Sequence, residues 1–143
     1  MSAPVAIKLL IVDDHPMVRM SLVELFDDSD DICVVGTCSD GTEVTPTAAR
    51  TGPDVVLMDV QMPRMSGLAA TRELLAAQPW VRVVMLSGNL TTAAVTEAMA
   101  VGAAGFLLKG DEPGDLPHRV RTVAAGGTAW SDAAARLRAP APV

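Results

Sequence analysis

The 143-residue sequence has no uninterrupted apolar run near the ~20 residues that a helix needs to cross a bilayer, so a spanning helix is excluded. No basic patch precedes a long apolar region at the N-terminus. Lys8-Leu9-Leu10-Ile11-Val12 runs straight into Asp13 and Asp14, and no signal peptide is expected. Cysteine is scarce: Cys33 and Cys38 stand five positions apart with no second pair. That is neither a disulfide framework nor a zinc site. It fits a reducing, cytoplasmic compartment and two small buried or half-buried thiols. Positive charge is short as well, with eleven Lys and Arg against seventeen Asp and Glu and a net charge of −6. A domain that grips nucleic acid by its phosphates is more often basic, so DNA binding by this chain alone is not expected. Lysine is the rarest cation, with two (Lys8 and Lys109) against nine arginines.

What is present describes a folded domain. Half of the residues are apolar and 20% are charged, the reverse of the balance found in disordered chains. The length suits one domain of ~100–150 residues, large enough to be stable without disulfides or a structural metal. The apolar residues fall into short continuous runs, Ile7 to Val12, Ile32 to Val35, Val55 to Met58, Val81 to Leu86 and Gly105 to Leu108. Runs of this kind, unbroken and rich in Val, Ile and Leu, mark strands buried on both faces, as in a parallel sheet. Helical spacing appears between them. Val18, Leu22, Leu25 and Phe26 fall on one stripe, Leu116, Val120, Val123 and Ala124 repeat it, and Ser66 to Ala77 carries Leu68, Leu74 and Leu75.

Punctuation agrees with these elements. Pro16 suits the first position of a helix, and Gly102 and Gly126-Gly127 suit helix stops. Gly41 to Thr51, with Pro46 and four threonines, predicts a short or ragged helix. The order βαβαβαβαβα implies a doubly wound α/β fold, a parallel sheet with helices on both faces. The expected boundaries are an N-terminal tail over 1–6, the folded domain over 7–127, and a short helix capped by Ser131 with an Ala/Pro linker over 128–143. The linker leads to the expectation of a further domain beyond it.

In an open α/β sheet, ligands bind beyond the carboxyl ends of the strands. The first run ends in Asp13-Asp14, the third in Asp59, the fourth in Ser87 and the fifth in Lys109. Four strands thus deliver three carboxylates, a hydroxyl and an ammonium to one edge. Crowded carboxylates repel one another, and an oxygen-binding cation is the common remedy. Mg²⁺ fits, because it takes a few carboxylates and completes its shell with water and phosphate oxygens. A carboxylate is also a competent nucleophile toward phosphorus, given positioning and neutralised charge. Each residue has a plainer reading on its own. Asp14 could cap the first helix, Asp13 and Asp59 could be turn or loop acids, Ser87-Gly88 a turn, and Lys109 a surface lysine. His15 and His118 show no partner at metal-ligand spacing and read as surface residues. Glu24 to Asp31 reads as a solvated acidic turn and the eight methionines as core fillers. Four separate strand ends bearing the right groups argue against coincidence.

At this point the residues match a family. Leu10-Ile11-Val12-Asp13-Asp14-His15-Pro16, Asp54-Val55-Val56-Leu57-Met58-Asp59-Val60-Gln61-Met62-Pro63-Arg64-Met65-Ser66-Gly67, Met85-Leu86-Ser87 and Gly102-Ala103-Ala104-Gly105-Phe106-Leu107-Leu108-Lys109 resemble the receiver domain of a bacterial two-component response regulator, from about Ile7 to Gly127. The resemblance implies a flavodoxin-like (βα)5 fold with a five-stranded sheet in the order 2-1-3-4-5. It implies that Asp59 accepts a phosphoryl group from a histidine of a sensor histidine kinase. Asp13, Asp14, Asp59 and the Gln61 backbone carbonyl would hold Mg²⁺, and Lys109 would pair with the phosphoryl group. Ser87 and Phe106 would form the switch, with Gln61 and Asn89 tuning the phosphoryl lifetime.

Gly105 to Gly110, with no proline after Lys109, further resembles the NarL/LuxR-type subfamily. Its members carry a C-terminal helix-turn-helix DNA-binding domain, control transcription and tend to form homodimers on phosphorylation. A stand-alone or degenerate receiver serving as an interaction module remains as an alternative. A haloacid-dehalogenase-like phosphatase would need a second Asp two positions after its nucleophile, where this chain has Gln61. A P-loop enzyme would need Gly-x-x-x-x-Gly-Lys-Ser/Thr, which is absent. The resemblance implies a phosphoacceptor, not a classical enzyme, beyond catalysing its own phosphorylation and dephosphorylation.

Overall fold

A computed structural model describes residues 6–110 and 113–138; most of the expected tail over 1–6 and the Ala/Pro linker from residue 139 lie outside the described residues. Five strands follow the five apolar runs: β1 (Ile7–Val12), β2 (Ile32–Cys38), β3 (Val55–Asp59), β4 (Arg82–Ser87) and β5 (Gly105–Leu108). A two-residue strand, β6 (Ala129–Trp130), is added to them. All pairings are parallel and the order is β2-β1-β3-β4-β5-β6. The expected 2-1-3-4-5 order therefore stands, with one short strand at its edge. β2 runs three residues past the apolar run because its register against β1 shifts between Leu9 and Leu10, and pairing resumes at Gly36. Cys33 lies exposed on this edge strand and Cys38 is buried, so the expectation of two covered thiols holds for Cys38 alone.

The strands alternate between two cores, as the period of two requires. Leu10, Val12, Val56, Met58, Val83, Met85 and Phe106 pack on one face, under helices α2 (Val44–Thr51), α3 (Gly67–Ala77) and α4 (Thr92–Ala100). Leu9, Ile11, Val55, Leu57, Val84, Leu86 and Leu107 pack on the other, under α1 (Pro16–Asp27) and α5 (Leu116–Ala124). Pro16 opens α1 as expected. The Gly41–Thr51 segment begins as a 3₁₀ turn over Gly41–Glu43 and becomes an eight-residue helix with Pro46 in its first turn. A short helix, α6 (Asp132–Arg138), follows β6, with Ser131 Oγ accepting from the Ala134 N–H at its start. Ala134 of α6 is fully buried in the first core. The methionines divide: Met58, Met62 and Met85 are core, whereas Met17 and Met20 on α1 stand exposed.

Two glycines are set by close approach. A Cβ on Gly67 would overlap the backbone carbonyl of Asp59, and one on Gly105 would overlap that of Ala129. Gly67 thus lets α3 start directly against the chain that carries Asp59, and Gly105 lets β6 pair with β5.

Candidate functional site

The sheet places its chemistry where the strand ends predict. Asp13 continues the β1–β2 ladder, its N–H donating to Cys38 O at 3.0 Å, and the Lys109 N–H donates to Ser87 O at 2.8 Å. Asp59 ends β3, and the loop after it is closed by the Gly67 N–H on Val60 O at 2.8 Å. Ladder bonds thus fix four backbones, and their side chains meet over the edge. Asp14, His15, Val18, Asp59, Gln61, Met62, Pro63, Ser87, Gly88, Asn89 and Lys109 line a cavity of about 580 Å³.

Within it, Lys109 Nζ lies 3.0 Å from Asp13 Oδ2 and 3.2 Å from Asp59 Oδ1. Asp13 is fully buried and Asp59 is 4% exposed. One ammonium therefore bridges two acids, with Asp14 beside Asp59, in a poorly hydrated place. Asp59 Oδ2 is buried and meets no hydrogen-bond donor among the described residues. Burial, then the like charge of Asp13, pushes the Asp59 carboxyl up to about 6; Lys109 pulls it back and the nearby Asp14 carboxyl adds to the rise. Desolvation works against the Lys109 ammonium, but the Asp13 and Asp59 carboxylates outweigh it and hold its pKa above the ordinary value. A buried cluster with excess negative charge and an orphaned carboxylate oxygen fits an oxygen-binding divalent cation.

The structure separates the remaining candidates. Asp14 does not cap α1, because the N-cap position is His15 and no side chain caps it. Ser87 Oγ donates to Asn89 O at 2.7 Å and accepts from the Asn89 N–H at 3.1 Å, so the hydroxyl is turned onto its own loop. Phe106 is fully buried, one strand from Trp130, with which it pairs across β5 and β6. Gln61 and Asn89 both line the cavity. His118 is exposed on α5, as expected.

His15 is exposed, as expected, but it has partners that the spacing did not show. Its Nδ1 lies 3.1 Å from Asp14 Oδ1 and 3.3 Å from Asp13 Oδ1, and its backbone N–H donates to Asp13 Oδ1 at 2.9 Å. The spacing rule looked for partners several residues away, whereas a sharp turn folds the ring back onto the two preceding acids. Two supporting residues also went unread. Arg19 NH1 donates to Asp13 O at 2.7 Å, and Asp40 accepts from the Met65 N–H at 3.4 Å and from Thr42 Oγ1 at 2.7 Å. The first anchors the Asp13 turn and the second the loop after Asp59. The spacing Asp13-to-Arg19, one helical turn and a half past the strand end, was the available signal for the first.

A doubly wound parallel sheet with three carboxylates and a lysine gathered at its carboxyl edge defines an α/β domain of flavodoxin-like fold with an acidic, cation-suited pocket. The chain belongs to the response regulator receiver domain family, whose model matches residues 9–121. The response regulator GacA of Pseudomonas aeruginosa is 40% identical over 120 residues, 84% of this chain and 56% of that protein. The chain spans about half the length of the curated relatives it matches. A LuxR-family two-component response regulator from Aurantimonas has a TM-score of 0.87 at 28% identity, covering 92% of this chain and 94% of that one. The signal receiver domain of the response regulator NarL from Mycobacterium tuberculosis has a TM-score of 0.82 at 32% identity, covering 86% and 99%. The NarL/LuxR-type resemblance read from the sequence is borne out.

Proposed function

We propose that this chain is the phosphoacceptor domain of a two-component response regulator and that Asp59 receives the phosphoryl group from a phosphohistidine of a sensor kinase. The observation that carries the reading is Asp59 Oδ2, buried and without a donor among the described residues, on a residue that lines the cavity. That oxygen attacks phosphorus, the new P–O bond forms as the donor's P–N bond breaks, and the electron pair returns to the donor imidazole. Lys109, already bridging Asp13 and Asp59, holds one phosphoryl oxygen. Asp13, Asp14, Asp59 and the Gln61 carbonyl hold Mg²⁺, which when bound neutralises the phosphoryl oxygens. Gln61 and Asn89, at the rim, govern access of the water that later hydrolyses the acyl phosphate.

The switch reading gives Ser87 a second position. Its hydroxyl leaves Asn89 for a phosphoryl oxygen, and Phe106 repacks in response, a shift between two populated states. Residues 7–127, with β6 and α6 packed on them, act as the receiver of a regulator that, dimeric when phosphorylated, controls transcription in the cytoplasm through a helix-turn-helix domain. The greater length of the GacA relative supports an output region. Among the described residues no helix is long and apolar enough to cross a membrane.

Intact mass spectrometry after incubation with a small phosphodonor tests the central step. One Mg²⁺-dependent phosphoryl addition, lost in Asp59→Asn, is expected. Addition that survives in Asp59→Asn would assign the chemistry to another residue.

A further inference from the structure

Arg19 is the only basic residue of α1, and helix formation does not account for it. It stands in the amino-terminal part of the helix, toward the positive end of the helix dipole, where a cation is disfavoured. No acid lies three or four positions to either side to make a helical ion pair. The half-buried side chain instead reaches back across the turn, and Nη1 donates to Asp13 O at 2.7 Å. A charged donor at that length makes one of the stronger hydrogen bonds of a protein. Asp13 O belongs to the peptide that joins Asp13 to Asp14, so the arginine fixes that plane and the directions in which both side chains leave it. Every polar group of Asp13 then has a partner. Its N–H donates to Cys38 O at 3.0 Å, its carbonyl accepts from Arg19, Oδ1 accepts from the His15 backbone N–H at 2.9 Å, and Oδ2 faces Lys109 Nζ at 3.0 Å.

We propose that Arg19 is a positioning residue for phosphoryl transfer: it holds the Asp13–Asp14 peptide, Asp13 Oδ2 holds Lys109 Nζ, and Lys109 is thereby set against Asp59. The last contact of that chain is 3.2 Å, from Lys109 Nζ to Asp59 Oδ1. Val18 lines the cavity and Arg19, the next residue, does not, so the arginine acts through Asp13 and meets no phosphodonor. Its loss lets the Asp13 turn relax and the ammonium drift from the oxygen that must be served during transfer. A misplacement of about 1 Å in such a group costs up to about 10²-fold in rate. The effect on rate rests on the phosphoacceptor reading; the effect on Lys109 does not.

The scarcity of lysine supplies a readout that a merely structural role would not move. The chain has two lysines, Lys8 and Lys109, so a sample labelled at lysine gives two side-chain ¹⁵N signals. Arg19→Met should shift the Lys109 signal and leave that of Lys8 in place. With a small phosphodonor and saturating Mg²⁺, the same variant should lower the maximal rate of uptake by about 10–100-fold and leave the half-saturating donor concentration unchanged. Arg19→Lys keeps one donor for the one bond observed and should recover most of that rate. Arg72→Met, which removes an exposed arginine of α3, should match the native chain in both measurements. A Lys109 signal unmoved in Arg19→Met overturns the proposal, as does a maximal rate within about threefold of native. An Arg19→Met chain that no longer melts cooperatively in urea would make Arg19 a residue of stability and overturn it too. A native chain that takes up no phosphoryl group, with Lys109 still shifted in Arg19→Met, would leave the positioning chain standing and overturn the phosphoacceptor reading alone.

Discussion

Two ion pairs stand at opposite ends of the same parallel strands and behave in opposite ways. At the amino end, before β2, Arg121 of α5 grips Asp31 through two N–H groups, Nε at 2.7 Å and NH2 at 3.0 Å. The pair is one to one and about half exposed. The hydrogen bond from Arg121 holds the Asp31 carboxyl below its ordinary pKa, and that bond raises the Arg121 guanidinium in turn. At the carboxyl end, Lys109 is shared between Asp13 and Asp59, with Asp14 close by, in a dry setting. There the Asp59 carboxyl rises to about 6, chiefly from lost hydration. The pairing at the amino end is complete and closes a surface. The carboxyl end is left with more anion than cation, and that deficit is the capacity to take up a metal ion.

The largest test of this contrast removes the one cation of the carboxyl end. Lys109→Met should slow phosphoryl uptake by about 10²–10³-fold, the usual cost of losing one charged group aimed at the transferring phosphoryl. Time-resolved intact mass spectrometry at saturating Mg²⁺ reads it directly. Uptake within tenfold of native would show that Lys109 serves only to balance Asp13 and Asp59. The variant should also bind divalent cations more tightly, because the acids lose their internal competitor.

The next effect is on stability. In the metal-free chain, Asp59 titrates near 6 when folded and near its ordinary 3.8 when unfolded. Between those values the folded protein holds a proton that the unfolded chain has released, so stability falls as pH climbs from about 4 to 6. Above that window the full penalty remains, on the order of 3 kcal/mol. Asp59→Asn should therefore be more stable than native at pH 7 in a chelator, with the gain fading as pH falls toward 4. Urea melts across that range measure the difference, and parallel curves for the two proteins would contradict it. Adding Mg²⁺ to the native chain should recover part of the penalty.

Much of this contrast was legible before the structure, for reasons that are physical. Continuous apolar runs mark strands buried on both faces, and a parallel sheet brings every strand's last residue to one edge. Asp13, Asp14, Asp59, Ser87 and Lys109 could therefore be assembled from position alone. β6 could not be read, because two residues carry no period and its place depends on Gly105 admitting the Ala129 backbone. The end of β2 was missed because a register shift lets Gly36 and Thr37 keep pairing after the apolar run stops. His15 and Arg19 were missed because their contacts depend on how one turn folds side chains back on the strand end. The Arg121–Asp31 pair joins residues 90 positions apart, and within the chain Asp31 looked like one of several acids in a solvated turn.

That pair supplies the smallest and most discriminating prediction. Arg121→Ala should leave Mg²⁺-dependent phosphoryl uptake unchanged, since neither partner lines the cavity. Its effect on stability should be smaller than that of Asp59→Asn and should shrink as salt is raised, because both side chains meet solvent. The sign of its pH dependence is opposite. Asp31 has a lowered folded pKa, so its contribution is fully present above the ordinary value of 3.8 and is lost as pH falls through the lowered one. Native and Arg121→Ala stabilities should therefore run parallel from pH 4 to 6, where the Asp59 curves diverge, and converge only below pH 4. If the Arg121→Ala curve instead bent between 4 and 6, the two ends of the sheet would be coupled. The carboxyl-end charge deficit would then be borne by the whole domain, not by the pocket alone.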